Sequence, residues 1–170
     1  MIGEDAQREQ PEEIPLDPDT FGQEQPCFGC ASNHPIGFRL RFVKRGDEVI
    51  TRFVPSEKYQ GPPGVMHGGL VMTLADEIAA WTIVAQKGRF GFTVSVEARL
   101  SKAVRTGVEV LGKGRIESET PRFTKISVEL SQGDAACFRG TFTFVILDEA
   151  GAEKVIGGPL PEAWRKFARG

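Results

Sequence analysis

The chain has 170 residues, 40% of them apolar, and a formal net charge of −2, which suits one domain with a sizeable core. Three cysteines, an odd number, do not make a disulfide scaffold and suit a reducing compartment. No basic run or aromatic-interleaved motif points to nucleic acid, and the start, MIGEDAQREQ, lacks the basic and apolar runs of a signal peptide, so a cytoplasmic protein is expected.

Residues 1–25 hold eight acids against one base, Arg8, so this stretch carries −7 and the rest of the chain +5. It is proline-containing and poor in apolar periodicity, the composition of a disordered or loosely draped arm outside the core. A mildly basic body would suit a polyanionic small ligand, although a solvated surface with no such role is the better account of it.

After the turn-rich PCFGCASNHPIG, the alternation of Phe38, Arg39, Leu40, Arg41 and Phe42 predicts a half-buried strand, and Val49 to Val54 a second one paired with it as a hairpin. A Pro/Gly-rich loop then leads through His67-Gly68-Gly69 into eighteen proline-free residues, Gly69 to Gln86. Leu70, Leu74, Ile78, Trp81 and Ala85 cover one side of this helix, and Met72, Ala79, Ala80 and Ile83 the other, the pattern of a buried helix. Two adjacent acids, Asp76 and Glu77, argue against a membrane span and need an explanation of their own.

Four strand-like runs follow: Phe92 to Val104, Gly107 to Glu117 with Gly112 and Gly114 as bulges or close approaches, Thr124 to Leu130, and Ala136 to Leu147. Two strands, one long helix and four strands predict an α+β fold, an antiparallel sheet of about six strands wrapped on a single helix. The expected divisions are an arm over 1–25, a domain over 26–147 and a C-terminal extension over 148–170, whose Pro161 to Ala168 forms a short helix, with Trp164 and Phe167 at i, i+3, docked against the sheet.

These residues resemble a known family. The order of elements, HGG opening the helix, an acid nine residues after the histidine, and the lead-in Cys27-Phe28-Gly29-Cys30 with Asn33 and Gly37 resemble the hotdog-fold acyl-CoA thioesterases of the phenylacetate-degradation (PaaI-like) branch, over about Cys27 to Leu147. The resemblance implies that a glycine amide at the helix start, Gly68 or Gly69, polarises the thioester carbonyl and that Asp76 acts as base or nucleophile. It also implies an assisting hydroxyl on the strand after the helix, Thr93 or alternatively Ser95. Where some relatives have Asn or Gln in the loop before HGG, this sequence has Gly61, with Gln60 beside it.

The chemistry agrees with the residues. Free amides at a helix N-terminus stabilise an anionic intermediate without a side chain, and glycines let a substrate approach the backbone. Eight helical residues separate Gly68 from Asp76, or ~12 Å at ~1.5 Å per residue, whereas attack needs atoms within ~3.5 Å. One chain cannot present both groups to one carbonyl; two antiparallel copies can, so a homodimer, or a tetramer built from dimers, is expected. His67 contacts the loop or the carbonyl region, and Glu77 is read as an interface hydrogen bond or ion pair beside the substrate. Met66, Leu70, Met72, Thr73 and Trp81 line the expected acyl pocket, with Arg99, Lys102 and Arg105 available to CoA phosphates. Cys27, Cys30 and His34 lack a fourth ligand unless Cys137 or a second chain supplies it, so neither metal nor cofactor is expected. A non-catalytic acyl-CoA-binding protein on the same fold is the alternative, and a hydratase ranks below it because His34 and His67 are the only histidines.

Overall fold

The computed structural model describes residues 11–170, and residues 1–10 of the acidic arm lie outside the described part. Seven strands form one antiparallel sheet: β1 (Ile14–Pro15), β2 (Phe42–Arg45), β3 (Glu48–Phe53), β4 (Phe92–Leu100), β5 (Val110–Glu119), β6 (Phe123–Gln132) and β7 (Ala135–Val145), in the spatial order β1-β2-β3-β5-β6-β7-β4. One long helix, α1 (Gly68–Lys87), lies across β3, β5 and β6. The expected sheet wrapped on a single helix is the architecture observed.

The seat of that helix is set by two glycines. A Cβ at Gly112 would collide with Ile78 Cδ1, and one at Gly114 with Thr82 Oγ1, so β5 lets the helix backbone come down onto the sheet. Both positions are therefore close approaches, not bulges; the bulge of β5 lies farther along, between Ile116 and Ser118. Leu74, Ile78, Ala79, Trp81 and Ile83 are buried beneath, while Met72, Thr73, Asp76 and Ala80 are only half-buried. By length and composition α1 is apolar enough to cross a membrane, yet here it supplies the core of the sheet.

Three expectations need correction. Phe38, Leu40 and Phe42 are buried as the alternation predicts, but the strand begins only at Phe42. Arg39 adopts a left-handed backbone with φ 55°, and the amides of Phe38 and Leu40 bond to the carbonyls of Phe28 and Gly29 at 3.0 and 2.9 Å. The segment thus pairs with the cysteine loop instead of the sheet.

The described part of the arm, residues 11–25, belongs to the body of the protein. Ile14 and Pro15 pair with Lys44 and Val43, Glu13 bridges to Arg52 at 2.9 Å, and Phe21 is buried against Trp81 at 5.8 Å between ring centres. Scattered apolar residues carry this docking, which is why periodicity does not reveal it.

The extension holds two helices, α2 (Glu149–Ile156) and α3 (Glu162–Arg165), where one was expected. Asp148 caps α2 by accepting from the Gly151 amide, and Gly157 closes it in a left-handed conformation with φ 75°. Trp164 and Phe167 pack onto Phe21 of the N-terminal segment, at 4.5 and 5.0 Å, where docking against the sheet was expected.

Replacing Gly112 by valine forces a branched side chain into Ile78 and lifts α1 from β5. The expected cost is about 1–3 kcal/mol of folding stability, read from the denaturant midpoint, and an unchanged midpoint would show that the glycine does not seat the helix.

Candidate functional site

His67, extended at φ −60° and ψ 132°, is the N-cap of α1, and its Nδ1 accepts from the Gly69 amide at 3.0 Å. Its carbonyl accepts from the amides of Leu70 and Val71. Among the described residues the Gly68 amide alone in this first turn has no partner. The two candidate glycines are thereby distinguished: Gly69 is occupied by its own cap and Gly68 is open. Because Nδ1 is an acceptor, the neutral ring carries its proton on Nε2.

The loop before the helix is braced by its own side chains. Gln60 Oε1 accepts from the Gly64 amide at 3.0 Å, Gly61 bonds to the Val65 carbonyl, and the His67 amide bonds to the Tyr59 carbonyl. Gln60 thus holds the loop. At Gly61 a Cβ would come within 3.3 Å of the His67 ring, so the small residue makes room for the cap. Met66 is buried and bonds to Val104, and Thr73 Oγ1 donates back to the Gly69 carbonyl at 3.0 Å.

Two turns on, Asp76 Oδ1 accepts from Thr93 Oγ1 at 2.7 Å. Burial pushes the Asp76 carboxyl above its ordinary range, and the Thr93 hydrogen bond opposes this in part. A bulge between Thr93 and Ser95 turns the strand so that Ser95 pairs with Thr143, whereas Thr93 pairs with the buried Phe144. Ser95 consequently faces the outer side of the sheet and is not at the site; the hydroxyl is Thr93.

Glu77 points elsewhere, into the Cys27–Cys30 loop, where the Cys27 thiol lies 3.1 Å from its Oε1. Burial first, and then the Cys27 charge, push the Glu77 carboxyl well above its ordinary range. The Cys30 thiol beside it, with backbone and Glu77 bonds, lowers Cys27 to about 5, while the same contact and burial push Cys30 up. His34 is not part of this cluster, since its Nδ1 accepts from the Ile36 amide at 3.3 Å. Cys137 lies on β7 with its thiol toward the Ala135 carbonyl.

Asp76, Glu77, Thr93 and the two cysteines share a cavity of about 280 Å³. An apolar one of about 590 Å³ adjoins it through Phe21, Phe90, Phe92 and Trp164. Neither was legible in the sequence, because its walls come from both chain ends. Of the residues expected to line an acyl pocket, only Trp81 borders the first cavity and none the second. A larger concavity of about 780 Å³, with Arg99, Lys113, Arg115 and Arg139, lies on the outer face of the sheet, away from α1 and without a buried acid. Arg99 is therefore separated from the helix start, whereas Arg105 forms a bridge with Val65 in the loop before His67.

Residues 63–137 match the model of the thioesterase superfamily. No curated protein matches the chain significantly. Among solved structures, a thioesterase superfamily protein is similar at 20% identity over 79% of this chain and 67% of its own, with a TM-score of 0.66. A phenylacetic acid degradation-related protein from Ralstonia eutropha, described as a putative thioesterase, is 20% identical over 59% of this chain and 76% of its own, with a TM-score of 0.55. A hypothetical thioesterase from Streptococcus pneumoniae, solved with coenzyme A, is 23% identical over 62% and 87%, with a TM-score of 0.57. The shared fold is the hotdog arrangement of one helix in an antiparallel sheet.

The raised Asp76 carboxyl has a consequence for stability. The folded chain holds this proton more tightly than the unfolded one, so its favourable contribution is full below the ordinary carboxylate range near pH 4 and is lost as pH rises through the raised value. Asp76→Asn removes the charged state, and denaturant unfolding should show the variant gaining on the wild type as pH rises from about 4 through the raised value. A gain that is equal or larger at the acid end would contradict the burial of this carboxylate.

Proposed function

We propose, for a chain with the hotdog fold and a segment matching the thioesterase superfamily, that it hydrolyses the thioester of an acyl-CoA at sites shared between two subunits. The observation that carries the reading is the pairing of an open helix-start amide with a half-buried acid that one chain holds too far apart. Strand β4 supports the means of joining them. It ends the sheet, and its Val94, Val96 and Leu100 are 54%, 37% and 49% exposed. A long apolar edge of this kind is an invitation to pair with another strand.

Two β4 edges pairing antiparallel, centred near Val96 and Glu97, set Thr93 of one copy across from Leu100 of the other. Thr93 holds Asp76, and Leu100 lies against Gly68, 3.5 Å from where its Cβ would be. The twofold axis therefore brings the acid of one subunit to the helix start of its partner. The resulting dimer is the reading of the expected oligomer that the sheet supports best.

In the site, the Gly68 amide and the positive end of α1 receive the carbonyl oxygen as it gains charge. Asp76 of the other subunit takes a proton from water as the oxygen attacks the carbonyl carbon, and returns it to the departing thiolate. Thr93 orients the carboxylate. Direct attack by Asp76 is the variant of this step; in a single turnover in ¹⁸O-water it would place protein oxygen in the first product, whereas general-base attack gives solvent oxygen only. His67 fixes the turn that presents Gly68, and its Nε2–H is free to donate to the substrate. Lys102 and Arg105, exposed beside the helix-start loop, are the candidates for CoA phosphates.

Asp76→Asn should abolish thiol release from acyl-CoAs, while Glu77→Gln keeps most of it. Tight acyl-CoA binding with no turnover in the wild type, unaffected by Asp76→Asn, would instead show a binding protein. A panel of aromatic and aliphatic acyl-CoAs identifies the acyl group.

Gly68→Pro removes the amide and little else, because proline is favoured at the first helical position and His67 already has extended backbone. It should fold normally and lose about 10²–10³ in kcat. Refolding it together with Asp76→Asn should return activity to about a quarter of wild type, since half of random dimers then carry one intact site. No recovery on mixing would overturn the shared site.

Lys102→Ala with Arg105→Ala should raise KM for acyl-CoAs by about tenfold and leave KM for acyl-pantetheine thioesters, which lack the nucleotide phosphates, nearly unchanged. Equal changes for both substrates would place the phosphates elsewhere.

A further inference from the structure

The hydrolysis proposed above uses neither Cys27, Cys30 nor Glu77, yet the fold brings them together with care. Cys27 Sγ, Cys30 Sγ and a Glu77 carboxylate oxygen all lie within 4.8 Å of one another, and two of the three residues are half-buried and one buried. They come from a loop and a helix about fifty residues apart, and the loop is shaped around the helix residue. At Gly29 a Cβ would collide with Glu77 Cγ and Cδ, so only glycine lets the carboxylate pass under the loop. The loop is fixed from outside by the Phe38 and Leu40 amides on the Phe28 and Gly29 carbonyls.

Among the described residues the cluster has one N–H donor at sulfur, the buried Gln25, which gives its Nε2–H to Cys30 Sγ at 3.6 Å. Cations, by contrast, are missing: among the described residues Glu77 has no ion pair, and its helical neighbour is the acid Asp76. Two sulfurs and a carboxyl enclosed by the loop thus form a cluster of ligand atoms with no cation beside it.

We infer that Cys27, Cys30 and Glu77 bind a thiophilic divalent cation of the Zn²⁺ class, with the fourth position open to the cavity that Asp76 and Thr93 line. Two cysteines separated by two residues have the ligand spacing of such sites, and three protein ligands with one open position form a recognised set. Tetrahedral bonds of ~2.3 Å to sulfur and ~2.1 Å to oxygen place ligand atoms roughly 3.5–3.8 Å apart, which small side-chain rotations reach from the arrangement present. Whatever protons the two thiols and the Glu77 carboxyl still hold leave to solvent as the ion enters. The third ligand is Glu77, not the His34 or Cys137 that the sequence offered. The inference is independent of thioesterase activity, and so is its test.

The full-length chain, kept reduced, is titrated with Co²⁺ and then Zn²⁺. The expected result is a sulfur-to-cobalt charge-transfer band that saturates at one ion per chain and is bleached by Zn²⁺. Cys27→Ser and Cys30→Ser should each weaken Co²⁺ binding at least about a hundredfold and Glu77→Gln about tenfold, with Cys137→Ala unchanged. No band in the folded wild type at millimolar Co²⁺, or a band that survives Cys30→Ser or disappears in Cys137→Ala, overturns the assignment. Should the loop cysteine variants fail to fold, the wild-type spectrum and Cys137→Ala decide it alone, because the chain has only three cysteines.

Discussion

The contact of α1 with β5 governs everything else in this molecule. Gly112 and Gly114 remove the side chains that would hold helix and strand apart, and Ile78 and Thr82 fill the space. Once these two helical residues are pinned, the rotation of the helix is fixed. Helical geometry then sends Asp76 and Glu77, about 100° apart, in different directions. Asp76 turns toward β4 and meets Thr93; Glu77 turns toward the chain's N-terminal segment and meets Cys27. Which acid faces which chemistry is therefore decided by two positions on a strand that touches neither.

The two carboxyls share a burial cost and differ in how it is offset. Asp76 has one hydroxyl donor and remains half-open to a cavity, so it can cycle between its protonated and ionised forms. Glu77 is enclosed by a loop that leaves it thiols for neighbours. A carboxylate in that setting is stabilised by a positive charge more than by any further hydrogen bond. Adjacent residues of one type thus acquire unlike roles from packing, and the helix gives both to the same cavity wall.

Much of this was legible in the sequence, for definite reasons. The helix, its start at HGG, and strands β3 to β7 have strong period or punctuation, and a distance along the helix was enough to raise the shared site that is proposed above. The hydroxyl partner of Asp76 came from the family resemblance, which left Thr93 and Ser95 both open until the structure set Thr93 on the carboxylate. What periodicity could not show is anything set by a single backbone angle or by side chains far apart in the chain. Left-handed Arg39 ends a run of alternation that continues to bury Phe38 and Leu40, and one bulge sends Ser95 to the wrong face. The partnership of Glu77 with the cysteines depends on Gly29, a residue whose purpose is visible only as the space it leaves.

The ring cluster of Phe21, Trp81, Phe90, Trp164 and Phe167 joins residues from both ends of the chain over the flank of the helix. The Trp164 indole also donates to the Phe21 carbonyl at 3.1 Å, and both lie beyond the matched segment 63–137. Residues outside the matched segment thus supply much of the wall of the two cavities beside Asp76. The two chain ends meet there as one covering, with Phe21 seated on Trp81, Trp164 seated on Phe90 and the two packed on each other, so loosening either end uncovers rings of the other.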